Sequence, residues 1–266
     1  MKYITCFCLL LGVTFLQAQQ PTSVILGMVL LEESNGFKPD AMVAELRAKW
    51  KLDVVYESGE TSSVAISVDG YTVALAPIPL PVPEQEIRST AEYNYFWTNG
   101  AQEASAHRGH VIVSLLGAGK NPVEENLLFS KVVAAVLNTS PSVGVYMGSR
   151  TLLVKKAFYL ANMASVSKES LPLFNWLYFG MRQEDKKFTM YTHGLADFGK
   201  LEVEIIRSDR DFQELQELLY GIAHYVLSYD ATLNHGETIG MLATQKLKIT
   251  VSDGVCLEGK TVKISY

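Results

Sequence analysis

Cysteine is scarce in this chain, with three in 266 residues, and basic charge is in deficit, 23 Lys and Arg standing against 28 Asp and Glu. The net charge of -5 comes with cations scattered as pairs such as Lys155-Lys156 and Lys186-Lys187. No basic stripe results, so no nucleic-acid partner is expected. Complete catalytic fingerprints are missing too: there is no G-x-S-x-G elbow and no dinucleotide-binding fingerprint. The nearest approach to a phosphate loop is "SLLGAGKN", Ser114 to Asn121. It has Ser114 where the loop needs its first glycine and Asn121 where it needs a hydroxyl for magnesium, so it reads as a plain strand-to-helix connection. No cofactor is implied, and no residue is assigned a catalytic or metal-ligating role.

Two of the three cysteines, Cys6 and Cys8, lie in an N-terminal stretch where Lys2 precedes an apolar run from Tyr3 to Phe15. Ala18 follows at a cleavage-like position, and the order predicts a secretory signal peptide over residues 1–20. The run is short for a bilayer span, and Ile4-Thr5 before Cys6 make a poor lipidation box. The expected mature protein is exported, periplasmic or secreted, with no membrane span; without cleavage it is cytoplasmic. Cys256 then stands alone, so no internal disulfide forms, and it is expected to be a buried, inert thiol.

What is present is globular: 48% hydrophobic and 19% charged residues. "SVILGMVLLEE" (Ser23 to Glu33) is an apolar run of strand length. Pro39-Asp40 opens a helix facing inward through Met42, Val43, Leu46 and Trp50. "KLDVVYE" is a strand, and Asp69-Gly70 joins two alternating runs as a hairpin. Prolines at 77, 79, 81 and 83 form a stiff connector. Helices are predicted over 84–95 and up to His107, then strand 109–117. A helix follows with Asn121 as N-cap and Pro122 at its first position. A strand at 142–148 completes a second β-α-β order, which suggests an internal duplication of 23–56. Further on come a helix over 154–165, an aromatic strand over 171–183, strands 187–193 and 200–208, a helix over 210–229 capped by Ser208 or Asp209, and a closing strand pair. The order predicts an α+β protein with mixed, largely antiparallel sheets and packed helices. Residues 21–83 form an N-terminal subdomain and 84–266 the C-terminal domain.

Five residues stand out as candidates for function: His193, Glu202, Glu204, His235 and Glu237. Alternation in "LEVEI" puts Glu202 and Glu204 on one strand face, opposite Leu201, Val203 and Ile205. Two carboxylates so spaced could bind a cation or act on a substrate, but the solvated outer face of a sheet gives the same pattern. Gly194 and Gly199 bracket Leu195 and Phe198 in a compact loop. "NHGETIG" (Asn234 to Gly240) reads as a turn entering a strand. His107 and His110, three residues apart, straddle a helix-to-strand junction, where hydrogen bonding at element ends is expected in preference to zinc.

The stretch "THGLADFGKLEVEI", the long helix after it and "NHGETIG" resemble a bacterial family called domain of unknown function 4261. Thr192, Gly194, Leu195, Phe198, Gly199, Glu202 and Glu204 match its first motif, and Gly236, Thr238, Ile239 and Gly240 its second. "FNWLYF" (Phe174 to Phe179) resembles the preceding strand, giving a match over about 171–250. "PIPLP", "FWTNGAQEASAHRGHVIVSLLG" and "VGVYMGS" resemble the longer members. The family has no established activity, so the resemblance implies a related fold and no catalytic residues. The expectation is a non-catalytic binding module for an unknown protein or small-molecule ligand, conceivably protective, as in toxin neutralisation. The alternative is a hydrolase or metal-assisted enzyme using His193 with Glu202 and Glu204.

Overall fold

The computed structural model describes residues 23–56, 63–242 and 244–266. The expected signal peptide lies outside the described residues, as does the end of the strand expected at "KLDVVYE". The chain first forms β1 (Ser23–Leu31), α1 (Pro39–Ala48), β2 (Val54–Val55), β3 (Val64–Val68), β4 (Tyr71–Ile78), α2 (Glu84–Ala91) and α3 (Gly100–Ser105). Then come β5 (Gly109–Ala118), α4 (Pro122–Thr139), β6 (Ser142–Met147), β7 (Leu152–Lys155) and α5 (Lys156–Asn162). The last stretch holds β8 (Tyr178–Glu184), β9 (Lys187–His193), β10 (Val203–Ser208), α6 (Phe212–Ser228), β11 (Thr238–Ile239), β12 (Leu247–Asp253) and β13 (Lys260–Ile264). The protein is α+β, with two sheets that are antiparallel apart from one parallel pairing, β10 with β13.

The first sheet runs β2-β3-β4-β5-β1-β6-β7. Its β1 pairs on both sides, with β5 and β6, and this central place is why the strand is apolar almost throughout. Asp69 and Gly70 both take positive φ, the geometry of a tight primed hairpin turn, and they join β3 to β4 as expected. Both β-α-β units are crossovers, but they differ in span. Between β5 and β6 lies β1 alone, whereas β5, β4 and β3 separate β1 from β2. The expected boundary at residue 83 falls inside this layer, because β4 pairs directly with β5.

The second sheet runs β11-β12-β13-β10-β9-β8 and packs on α6 through Leu215, Leu218, Leu219, Ile222 and Val226. The N-cap of α6 is Asp211, which accepts the Glu214 N–H at 2.8 Å, in place of the expected Ser208 or Asp209. Ser208 instead donates to the Tyr266 carbonyl at 2.6 Å. Two further boundaries move. Residues 152–155 are strand β7 before the short α5, and only Tyr178–Glu184 of the aromatic stretch is extended. Between the sheets lies α4, buried on nearly every side, its polar Glu125, Asn126 and Ser130 included. Its Phe129, Val132 and Val136 join the first core, and its Leu127 joins the second.

Candidate functional site

Of the five residues singled out in the sequence, four, Glu202, Glu204, His235 and Glu237, are already engaged by the backbone around them. Glu202 accepts the Thr192 hydroxyl at 2.7 Å and the N–H groups of Gly194 at 2.8 Å and Ala196 at 3.2 Å. Gly194 has φ +122, a conformation closed to ordinary L-residues, so glycine there lets the loop turn its amides onto the carboxylate. Leu195 is fully buried, and Phe198 stacks on Trp176 with centroids 5.6 Å apart. The compact, apolar-anchored loop read from the sequence is thus tied shut by a glutamate.

Glu204 departs from the solvated outer face that its alternation offered. It is 0% exposed, covered by the turn between β12 and β13. That turn supplies the Val255 and Cys256 N–H groups, at 3.1 and 2.7 Å. Thr261 donates at 2.8 Å, and the Lys263 ammonium pairs with Glu204 at 2.8 Å. Burial pushes this carboxyl up, and the four donors together outweigh it, holding the group below its ordinary value. Cys256 is half-buried, and its thiol is pushed up first by burial and then by the Glu204 charge.

The third instance lies at the expected strand-to-helix loop. Glu125, 1% exposed, accepts from Gly119, Lys120 and Asn121 N–H at 2.6, 3.0 and 3.1 Å. The amide cradle that in a phosphate loop faces a nucleotide here holds the chain's own carboxylate. Asn121 caps α4 as expected, accepting from Glu124 N–H.

Four of the five histidines are likewise placed at element ends or turns, and His224 lies within α6. His193 sits half-buried opposite Tyr178, and among the described residues no hydrogen bond or ion pair joins its imidazole to a carboxylate or another histidine. His235 accepts from Val251 N–H at 3.2 Å, and Glu237 accepts from Asn234 N–H at 3.1 Å, both within the exposed turn before β11. His107 accepts from Val82 N–H at 2.8 Å, while its other ring nitrogen meets the Ala104 carbonyl at 2.6 Å. His110 bonds the Leu80 carbonyl at 2.9 Å. These two histidines therefore pin the proline connector. Among the described residues no three His, Cys, Asp or Glu side chains group as a metal site needs.

What the sequence reading missed is a shallow cleft where the outer strands of the two sheets, β7 and β8, approach each other. Residues 93–97, between α2 and α3, bridge them: Asn94 donates to the Leu153 carbonyl and Tyr95 to the Phe179 carbonyl at 2.8 Å. Phe96 stacks on Phe158 with centroids 5.0 Å apart and meets Phe174 edge-on at 5.0 Å. Tyr178 lines the same cleft and donates to the Tyr93 carbonyl at 3.1 Å. Phe96 and Tyr93 remain 43% and 58% exposed at its lip. Burial raises Tyr95 to about 12, against a lowering bond from Gln216, so its hydroxyl stays neutral. The available signal was the aromatic density of "EYNYFW" and "LFNWLYF", two segments far apart in sequence.

With the fold and both motif turns described, comparison with known proteins places the C-terminal stretch. Residues 191–265 match the family model described as Domain of unknown function (DUF4261). The match begins at Tyr191, past Phe174–Phe179, and runs through the last strand, so it covers the end of β9 and then β10 to β13 with α6. No curated protein and no solved structure matches the chain. Within the first DUF4261 motif, Thr192, Gly194, Leu195, Phe198, Glu202 and Glu204 have the scaffolding tasks described above, and Gly199 closes the loop with φ +70. The second motif behaves the same way: Gly236 has φ +89, and a side chain at Gly240 would run into the Gln245 backbone.

Proposed function

We propose that this protein is a non-catalytic binding module whose ligand, a small molecule or a side chain of a partner protein, enters the aromatic cleft between β7 and β8. The observation that carries this reading is a ring-walled concavity whose lip keeps Phe96 and Tyr93 exposed. A mostly apolar wall with a few hydroxyl and amide groups is the usual chemistry of ligand sites. The carboxylates a hydrolase would need are held by backbone amides, which favours binding over catalysis.

A fragment screen by saturation-transfer NMR tests it. Apolar and aromatic fragments should bind the wild type, and Phe96→Ala should remove them with the fold intact. Binding that survives Phe96→Ala, or hits that map to the far side of the second sheet, would overturn the reading. The order of Lys2, apolar run and Ala18 supports an exported, bacterial setting, which N-terminal sequencing of the mature protein checks; an N-terminus at Met1 would count against it.

A further inference from the structure

We infer that the open face of the first sheet, on the side away from α4, is where two copies of this chain pair, the bulky half of each face seated on the small-residue half of the other. Strand alternation defines the face. In β1, Ile25 and Val29 belong to the core that α1 and α4 cover, so Val24, Leu26 and Met28 point the other way. Across the ladder Val24 meets Leu116 and Met28 meets Ile112, and these five side chains make the bulky half. Thr72, Ala74 and Ala76 of β4 and Ala65 and Ser67 of β3 continue the same face as the small half, with Ser114 between the two. The cover that α2 and α3 supply reaches Leu30 and Tyr146, and Met28 packs at its margin. Beyond that margin Val24, Leu26 and Leu116 are left 46%, 41% and 40% exposed.

Charge, shape and area select a second copy as the occupant. A sheet face turned to water carries polar and charged residues, yet none of the side chains just named on this face is charged. Opposed to itself, a neutral face brings no like charges together, as a charged one would. Asp69 and Lys120 stand at the end of the face beside Leu116, where they would form the polar rim of a pair. A two-fold axis in the plane of contact, running between β4 and β5 and parallel to them, lays β1 of each copy over β3 of the other. Leu26 then sits on Ala65 and Leu116 on Thr72, large against small, at the spacing of about 10 Å usual for packed sheets. Four strands about 4.8 Å apart and about 20 Å long give roughly 400 Å² per copy, or about 800 Å² for the pair before its rim is counted. That area lies at the weak end of specific interfaces, so a dissociation constant of about 10–100 µM is expected.

Sedimentation velocity of the purified chain from about 5 to 500 µM tests the pairing. The wild type should shift from monomer towards dimer over that range. Leu26→Lys and Ala65→Glu should each stay monomeric, because each would bury an unpaired charge between the copies. Both positions are exposed in the single chain, so circular dichroism should show both variants folded. Mixed in equal amounts, the two variants should associate again, since lysine then faces glutamate. A wild type that is monomeric at every concentration would overturn the inference. So would association that persists in either variant alone, as contact through another part of the chain would give, and so would a mixture that stays monomeric.

Discussion

Glu204, Glu202 and Glu125 share one physical task, each serving as an internal counter-charge for backbone N–H groups that a turn has aimed inward. A buried carboxylate survives only when its lone pairs are filled, and Glu204 fills them from Val255, Cys256, Thr261 and Lys263. Glu204→Ala should therefore destabilise by about 3–5 kcal/mol, the usual penalty for leaving a buried partner unpaired, measurable by urea unfolding at neutral pH. The acid limb has a definite sign. The folded carboxyl lies below its ordinary 4.5, so on acidification the unfolded chain takes up the proton first. Stability is whole above about pH 4.5 and falls as pH drops through the lowered value. Glu204→Gln should flatten that limb, and a slope matching wild type would remove Glu204 from the explanation. Glu125 offers a sharper test, because its removal empties an amide cradle at a helix start. Glu125→Ala should lose on the order of 3 kcal/mol and regain part of it in millimolar sulfate, beyond any general salt effect on the wild type. Equal sulfate responses in the two proteins would contradict this.

At the scale of elements, the proline connector depends on histidine. Val82 N–H donates to the His107 ring, which can accept only while neutral. Burial pushes the His107 pKa down, the bond to Ala104 opposes this, and nearby His110 pushes it down further. The unfolded ring titrates near 6.5, so the clamp's contribution is complete above about pH 6.5 and is lost as pH falls through the lowered folded value. The protection of the Val82 amide, taken relative to its intrinsic exchange rate at each pH, should drop over that fall in the wild type, and His107→Gln should remove the step; protection that does not change with pH in the wild type would rule the clamp out. Much at this scale was legible beforehand. The apolar run of β1, the Asp69-Gly70 turn and the Asn121 cap are local signals whose chemistry acts on adjacent residues. The missed boundaries were settled by distant partners. Leu152–Lys155 becomes strand because β6 pairs with it, and Ser208 is drawn away from capping α6 by the C-terminal carbonyl of Tyr266.

At the scale of the whole molecule, the two sheets are joined by few but specific ties, and none could be read from sequence. The cleft is invisible there for the same reason, since its walls come from residues 93–97 and 151–179. The motif glutamates, by contrast, were conspicuous, and their neighbours decided their role. Arg150 is the central tie. It sits 3% exposed in the short turn between β6 and β7, on the side of the first sheet. Its guanidinium bonds Asp197 at 2.7 Å in the DUF4261 loop and Asn126 of α4 at 2.9 Å, and it lies over the Phe198 ring at 5.6 Å. Lysine cannot reproduce this planar fork, so Arg150→Lys should leave Asn126 and Asp197 without their shared donor while each sheet keeps its own core. The expected consequence is a loss of cooperativity more than a loss of local structure. Trp176 belongs to the second core, whereas Trp97 packs with the first sheet, so each reports on one side when the other tryptophans are replaced by phenylalanine. In the native Arg150 background the two probes should melt together, as one cooperative unit does. With Arg150→Lys the Trp176 transition should move to lower denaturant and separate from that of Trp97. Coincident transitions in the variant would mean that the α4 packing, through Leu127 and the Ser130–Trp176 hydrogen bond at 2.7 Å, couples the sheets without the arginine.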